Sequence, residues 1–256
     1  MPDQALPDDE EVVLPGGNVG GAIRVGNTVR RPTGPWTPAV HDLLNFLAAA
    51  GVEKVPRVIG IDARGREILT FLPGHVLEIG TEQPSREQTR SAMRWLRAYH
   101  AAVAGFPRGS RRWRFVERAL EPGEIVCHHD PAIYNLVFDG DELAGVFDWD
   151  TAGPGVPLDD VAMYAWNSAL LYPDADAGEI ADGLRAIAEA YGDLDAHTLL
   201  DHVPVRITAA TDRIAAGQRA GDVGMLRLGE IGEPAATLAR LSIVTGRSAE
   251  LHARLG

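Results

Sequence analysis

The sequence predicts an α+β chain of two lobes: a small β-rich lobe over residues 1–73 and a larger, mainly helical lobe over residues 74–256. Three observations predict it. Before residue 73, short apolar runs alternate with turn residues and are interrupted by one helical stretch. Pro73-Gly74 then punctuates the chain. Past that break the apolar period lengthens to that of helices, apart from short strand-like runs between residues 125 and 147.

Residues 1–10 read as an acidic, disordered tail, and Glu11–Leu14 as a short strand. The run Pro15-Gly16-Gly17-Asn18-Val19-Gly20-Gly21 is too rich in glycine for the interior of an element. Ala22–Val25 and Thr28–Arg31 form a hairpin through Gly26-Asn27, and Pro32 closes its second strand because it has no N–H for a ladder. Thr37, as a hydroxyl cap, and Pro38 open a helix that runs to Ala50 and stops at Gly51. Arg57–Ile61 and Glu67–Phe71 pair as strands about Arg64-Gly65. Ser85 and Gln88 make a capping box for a helix through Val103. Ile125–Cys127, Leu136–Phe138 and Leu143–Phe147 are short strands, the last two joined by Asp139-Gly140-Asp141. Leu158–Leu171, Ala177–Tyr191, Ala196–Ala220 and Pro234–Arg254 read as helices.

Composition excludes several classes of function. The net charge of −12 argues against a broad nucleic-acid surface, which needs clustered Lys and Arg. No apolar run approaches the roughly 18 residues of a membrane span, and Met1-Pro2-Asp3-Gln4 lacks the basic start of a secretory signal. The expectation is a cytoplasmic protein, monomer or homodimer, without nucleic-acid or membrane partners. Its single cysteine, Cys127, excludes an intrachain disulfide and a multi-cysteine metal site. It reads either as a reactive thiol beside the main motif or as a small buried residue ending a strand.

The chemistry is concentrated in Cys127-His128-His129-Asp130-Pro131-Ala132-Ile133-Tyr134-Asn135, which contains H-x-D-x-x-x-x-N. Beyond it, on the far strand of a hairpin, stands Asp148 in Val146-Phe147-Asp148-Trp149-Asp150. A tight hairpin after the loop brings positions 135 and 148 to face each other. An amide carbonyl and a carboxylate there offer hard oxygen ligands, the kind Mg²⁺ prefers. Asp130 is then a carboxylate able to accept a proton beside the metal.

This stretch resembles the catalytic loop and metal-binding aspartate of kinases. More specifically, His128 to Ala162 resembles the aminoglycoside-phosphotransferase family, a kinase-like group that includes choline and homoserine kinases. That family carries H-G-D-x-x-x-x-N, a strand ending in I-D-W/F-E/D, and a helix starting D-L-A. The chain has His128-His129-Asp130, Val146-Phe147-Asp148-Trp149-Asp150 and Asp160-Val161-Ala162, with His129 in place of the usual glycine. Leu96-Arg97-Ala98-Tyr99-His100 is similar to the family's helix ending in L-H, and Leu72-Pro73-Gly74 to its interlobe connector. Leu14 to Pro38 also resembles actinobacterial members described as trifolitoxin-immunity-like.

The resemblance implies a two-lobed protein-kinase-like fold and transfer of phosphate from ATP or GTP to a hydroxyl of a small molecule. It implies Asp130 and His128 as catalytic residues, Asn135 and Asp148 as Mg²⁺ ligands, and Asp160 as a brace for the catalytic loop. For phosphate binding it implies a glycine hairpin, through Gly17, Gly20 and Gly21, and a cation on the next strand, where Arg30 stands in place of the family's lysine. Gly16 and Gly21 bracket a G-x-x-x-x-G, but Ala22-Ile23 follow, so it is not a Walker A loop. The helix from Pro38 to Ala50 lacks the glutamate that should pair with the cation; only His41 and Asp42 are near.

Two other readings stand beside the kinase. The atypical glycine run, Arg30 and the missing glutamate suit a non-catalytic binding or immunity protein on the same fold. A metal-dependent hydrolase could use His128, His129, Asp130, Asp148 and Asp150, but it leaves Asn135 unexplained. For the acceptor, Asp174, Asp176, Glu179 and Asp182 are either ligands for ammonium groups or a solvated helix face. Trp149 and Trp166 are either stacking platforms or core.

Overall fold

The computed structural model describes residues 10–14 and 21–256. The acidic tail through Asp9, and Gly17 and Gly20 of the glycine run, lie outside the described residues. The first elements are β1 (Glu11–Val13), β2 (Ile23–Val25), β3 (Thr28–Pro32), α1 (Thr37–Ala49), β4 (Val58–Ile61) and β5 (Arg66–Thr70). The strands form one antiparallel sheet in the order β1-β2-β3-β5-β4. Glu67 and Leu69 of β5 are buried, so this strand phase turns inward toward α1. The helix answers with Val40, Leu43, Leu44 and Leu47, spaced for one face. Thr37 is not its cap, as the sequence suggested. It is the first helical residue, and its hydroxyl accepts from the Gly34 amide at 2.9 Å.

Past Pro73-Gly74 come β6 (His75–Val76), α2 (Arg86–Val103), β7 (Arg111–Arg112), β8 (Glu117–Arg118), β9 (Ile125–Cys127), β10 (Leu136–Asp139), β11 (Glu142–Val146) and β12 (Gly153–Gly155). β6 joins β10 and β11 rather than the first sheet; β9 pairs with β12, and β7 with β8. The Ser85–Gln88 capping box starts α2 as predicted. The helices α3 (Pro157–Trp166), α4 (Ala177–Tyr191), α5 (Ala196–Ala220), α6 (Val223–Glu230), α7 (Ala235–Gly246) and α8 (Ser248–Leu255) complete the chain.

Three helical expectations need correction. α3 ends at Trp166, short of Leu171, because Asn167 and Ser168 turn their side chains onto the carbonyls of Met163 and Tyr164 at 3.0 and 2.7 Å. The single helix expected over 234–254 is broken at Arg247, whose guanidinium reaches back to the Ala175 carbonyl at 2.8 Å. The sequence reading had no α6.

A single apolar cluster runs from α1 through α2 and the β9–β11 strands into α3, α4 and α5. It fixes the site from behind: Tyr99 of α2, fully buried, donates to the Val126 carbonyl at 2.6 Å. Among the described residues, no helix is long and apolar enough to cross a membrane.

Candidate active site

The loop between β9 and β10 is held by one buried carboxylate. Asp160, near the start of α3, is fully buried and accepts from the backbone amides of His128 at 2.9 Å and His129 at 2.7 Å. It also faces His100 Nε2 at 3.0 Å, while His100 Nδ1 meets the Tyr191 hydroxyl at 2.9 Å. Burial alone would raise the Asp160 pKa. The His100 hydrogen bond and the neighbouring histidine charges outweigh it and bring it down to about 2. His100 is therefore a structural brace.

His128 is fully buried and, with its lone pair at Nδ1, accepts from the Asp130 amide at 3.2 Å. Its Nε2 donates to the Phe147 carbonyl at 3.0 Å. Burial pushes its pKa down, so the ring is neutral and saturated. It was expected among the catalytic groups; both its ring nitrogens are spent on backbone, tying Asp130 to the strand that carries Asp148. His129 adopts φ +67, the left-handed region where glycine is at ease, which accounts for the glycine usual at this place. Its ring donates from Nε2 to the Pro154 carbonyl at 3.0 Å. That ring fits because residue 155 is glycine, where a Cβ would lie 2.7 Å from it.

Asp130 is bound at both oxygens. Tyr134 donates its hydroxyl to Oδ1 at 2.9 Å, and Asn135 Nδ2 donates to Oδ2 at 3.0 Å and to the Asp130 carbonyl at 2.9 Å. Burial and the charge of Asp148 raise the Asp130 carboxyl to about 7, with Tyr134, Arg206 and Asn135 pulling the other way. A base with that pKa is matched to proton transfer near neutral pH. Asn135 spends its amide N–H groups on Asp130, which leaves its Oδ1 as the free acceptor. The Phe147 amide donates to the Asn135 carbonyl at 3.0 Å, and Leu136 pairs with Val146. The β10–β11 register therefore sets Asn135 next to the turn bearing Asp148. Asp148 itself is in the left-handed region at φ 59, where the strand hands over to a 3-10 turn.

Opposite Asp148 stands Arg31, not Arg30. Arg31 Nη2 lies 3.1 Å from Asp148 Oδ1 and 2.7 Å from Asp150 Oδ2, and its Nε lies 3.5 Å from Glu67 Oε1. The guanidinium of Arg30, the cation expected at the phosphates, turns to the Thr28 hydroxyl on its own strand. Arg31 and Glu67 are cross-strand partners on the buried phase of the sheet, whereas Arg30 pairs with Ile68 on the other phase. Glu67, 3% exposed, is in turn held by His41 of α1 at 2.9 Å. The carboxylate that the sequence reading sought on α1 thus comes from β5, and α1 supplies the histidine that fixes it. Burial disfavours the Arg31 charge, but Asp150, Asp148 and Glu67 together hold it above the ordinary value.

The sequence reading also missed Arg114. It lies 4.6 Å above the Trp36 ring, 3.7 Å from Asp150 and 2.9 Å from Asp222. No local signal marks it. Gly21, the described member of the glycine set, has φ +92 beside β2. Cys127 is fully buried, with its thiol on the Val156 carbonyl at 3.1 Å, and burial pushes its pKa up. Trp149 is core, its N–H on the Val146 carbonyl at 3.0 Å. Asp176 caps α4 and Asp182 pairs with Arg185. Glu179 and Asp182 line a cavity of 300 Å³ with Gln83, Arg86 and Ser168, which includes none of Asp130, Asn135 and Asp148.

A five-stranded sheet with one helix, set against a helical body bearing the H-x-D-x-x-x-x-N loop and a following aspartate turn, is the protein-kinase-like fold. The chain belongs to the Phosphotransferase enzyme family (APH), which matches residues 29–125 and 121–198. It is 32% identical over 197 residues to the trifolitoxin immunity protein of Rhizobium leguminosarum bv. trifolii, covering 72% of this chain and 75% of that one. Solved structures share the fold at low identity. The GDP complex of aminoglycoside 2'-phosphotransferase-IIIa aligns with a TM-score of 0.62 at 14% identity over 96% of this chain and 94% of that one. The amicoumacin kinase hAmiN, solved in complex with AMP-PNP, Ca²⁺ and Ami, aligns at 0.60 with 12% identity over 96% and 90%. A choline/ethanolamine kinase family protein from Mesorhizobium loti aligns at 0.55 with 16% identity over 92% of each chain.

Proposed function

We propose that the protein is a nucleotide-dependent O-phosphotransferase acting on a small hydroxylated molecule, with ATP or GTP as donor. In this reading residues 1–73 meet the nucleotide phosphates, through Gly17, Gly20, Gly21 and Arg31, and residues 74–256 carry the base, the metal ligands and the acceptor site. The observation that supports it best is Asp130: a carboxyl raised to about 7, oriented by Tyr134 and Asn135, one hairpin register from Asp148. The acceptor hydroxyl gives its proton to Asp130 as its oxygen bonds to the γ-phosphorus. The bond from that phosphorus to the β–γ bridging oxygen breaks, and the nucleoside diphosphate leaves. Tyr134 and Asn135 keep the carboxylate aimed, and Arg31 neutralises charge on the donor.

The donor set fits a divalent ion: Asn135 Oδ1 and the Asp148 carboxylate are hard oxygens, and a cationic guanidinium already sits between Asp148 and Asp150. These residues would hold Mg²⁺, which when bound neutralises phosphate oxygens. The test is nucleoside diphosphate release with Mg²⁺ across hydroxylated acceptors. Asp130→Asn should lower turnover by about 10²–10⁴-fold. A fully active Asp130→Asn protein would refute the assignment.

The same bridge motivates a second reading, a catalytically silent binding or immunity protein, because Arg31 occupies the carboxylates a metal would need. The immunity relative agrees with it. Thermal-shift titration with Mg-AMP-PNP separates the two: no shift in melting temperature favours the silent binder.

A further inference from the structure

The 300 Å³ cavity lies apart from the candidate site, between the start of α2, the loop after α3 and one face of α4. Clefts between packed helices, apolar with a few placed polar groups, are where small ligands bind. α2 runs past both places. Its His100 meets the brace Asp160, while Thr89, which lines the cavity, stands about 16 Å earlier along the helix axis. The cavity is therefore a second site and not the mouth of the first. Its buried polar residues are Thr89 and Ser168, 8% and 5% exposed. Both meet Tyr164 of α3 and are left with opposite capacities. Thr89 Oγ1 accepts from the Tyr164 hydroxyl at 3.1 Å, and no acceptor among the described residues takes its own proton. Ser168 spends its proton on the Tyr164 carbonyl at 2.7 Å, so its oxygen is left to accept.

Charge divides in the same way. Arg86 of α2 and Glu179 of α4 line the cavity from different helices, and both are exposed. Neither side chain makes a hydrogen bond or ion pair among the described residues, so the two do not pair with each other. Asp182, the other acid in the lining, is taken by Arg185. Ile187, 2% exposed, adds apolar wall. An unpaired charge on a surface means little singly. Here a cation, a carboxylate, a free donor and a free acceptor share one space, and a ligand that carries both charges satisfies all four.

We propose that this cavity binds a free amino acid with an apolar side chain. Arg86 and the Thr89 hydroxyl donate to its carboxylate, Glu179 and the Ser168 oxygen accept from its ammonium, and Ile187 takes its side chain. The phosphotransferase reading is not needed for this, because binding is measured without turnover.

The test is calorimetric titration of the protein with L-leucine and its two single-charge counterparts, 3-methylbutan-1-amine and 4-methylpentanoate. Leucine should bind about tenfold or more tightly than either. Glycine, which keeps both charges and lacks the side chain, should bind more weakly than leucine. Arg86→Gln should bring leucine down to the level of the amine or below, and Glu179→Gln to that of the acid or below. Both positions are exposed, so the ligand-free variants should keep the melting temperature of the parent protein. No saturable leucine binding up to about 10 mM would overturn the proposal. So would equal binding of leucine and any of the three other probes, or a leucine affinity that survives either glutamine variant.

Discussion

Asp130 and Arg31 stand on opposite sides of the candidate site and are held by opposite means. Asp130 belongs to an eight-residue loop whose own members bind it: Tyr134, Asn135 and His128 are all within five positions. From behind, Asp160 locks two of the loop's amides, and Phe147 and Pro154 take up its two histidine rings. Arg31 has no such local support. Its partners Glu67, Asp148 and Asp150 come from β5 and from the turn after β11, and His41 of α1 secures Glu67. The first region is a motif that binds its own carboxylate and is braced from behind; the second is a junction of four chain segments. The difference teaches that a local motif can position a carboxylate, whereas a guanidinium with no partner in its own segment has to be positioned by the sheet and helix that deliver those partners.

That comparison can be broken by substitution. The largest loss after Asp130→Asn itself should come from the brace. Asp160→Ala leaves two buried amides and His100 without their acceptor, and should cost about 3–5 kcal/mol in urea unfolding. A cost near that of a surface substitution would mean the loop holds itself.

At the junction, Arg31→Gln and Glu67→Gln should each weaken AMP-PNP binding. A double-mutant cycle on the same dissociation constants should show coupling of about 1 kcal/mol or more, because the two side chains act as one unit. Additive effects would show that Glu67 does not position Arg31.

The pH profile sharpens the contrast between the two aspartates. Transfer should rise with pH through about 7, as Asp130 ionises to become a base. The folded-state value of Asp130 stands above its ordinary 3.8, so the native state holds that proton more tightly than the unfolded chain does. Its contribution to stability is full below pH 3.8 and is lost as pH rises through about 7; Asp130→Asn should flatten that loss. Asp160, lowered to about 2, works the other way: its contribution is present above 3.8 and is lost as pH falls through about 2. Unfolding midpoints measured across pH for Asp130→Asn and the parent protein check the first of these slopes. The smallest effect belongs to Arg30→Gln, expected within about 0.5 kcal/mol in stability, with AMP-PNP binding unchanged.

What was legible in the sequence follows the same division. The capping box at Ser85, the helices over 177–191 and 196–220 and the hairpin after the loop all rest on neighbours within a turn or two, and all form as read. The fold class was legible because the change of apolar period is a property of sequence alone. That Arg31 rather than Arg30 faces Asp148 went unread although a signal existed. Glu67 and Leu69 share the buried phase of β5, and the hairpin register carries that phase to Arg31. Arg114 carried no signal, since its partners Trp36, Asp150 and Asp222 come from segments far away in the chain.

By itself the sequence determined the five strands and one helix before residue 73, the spacing that sets Asp130 against Asn135, and the hairpin that returns Asp148 to them. These are local matters, decided by turn chemistry, capping and hydrogen bonds among near neighbours. Only the tertiary structure decided which arginine faces the aspartates and which strand supplies the carboxylate beside it. Burial and pairing are properties of surfaces brought together by packing, and no window of sequence contains both surfaces at once.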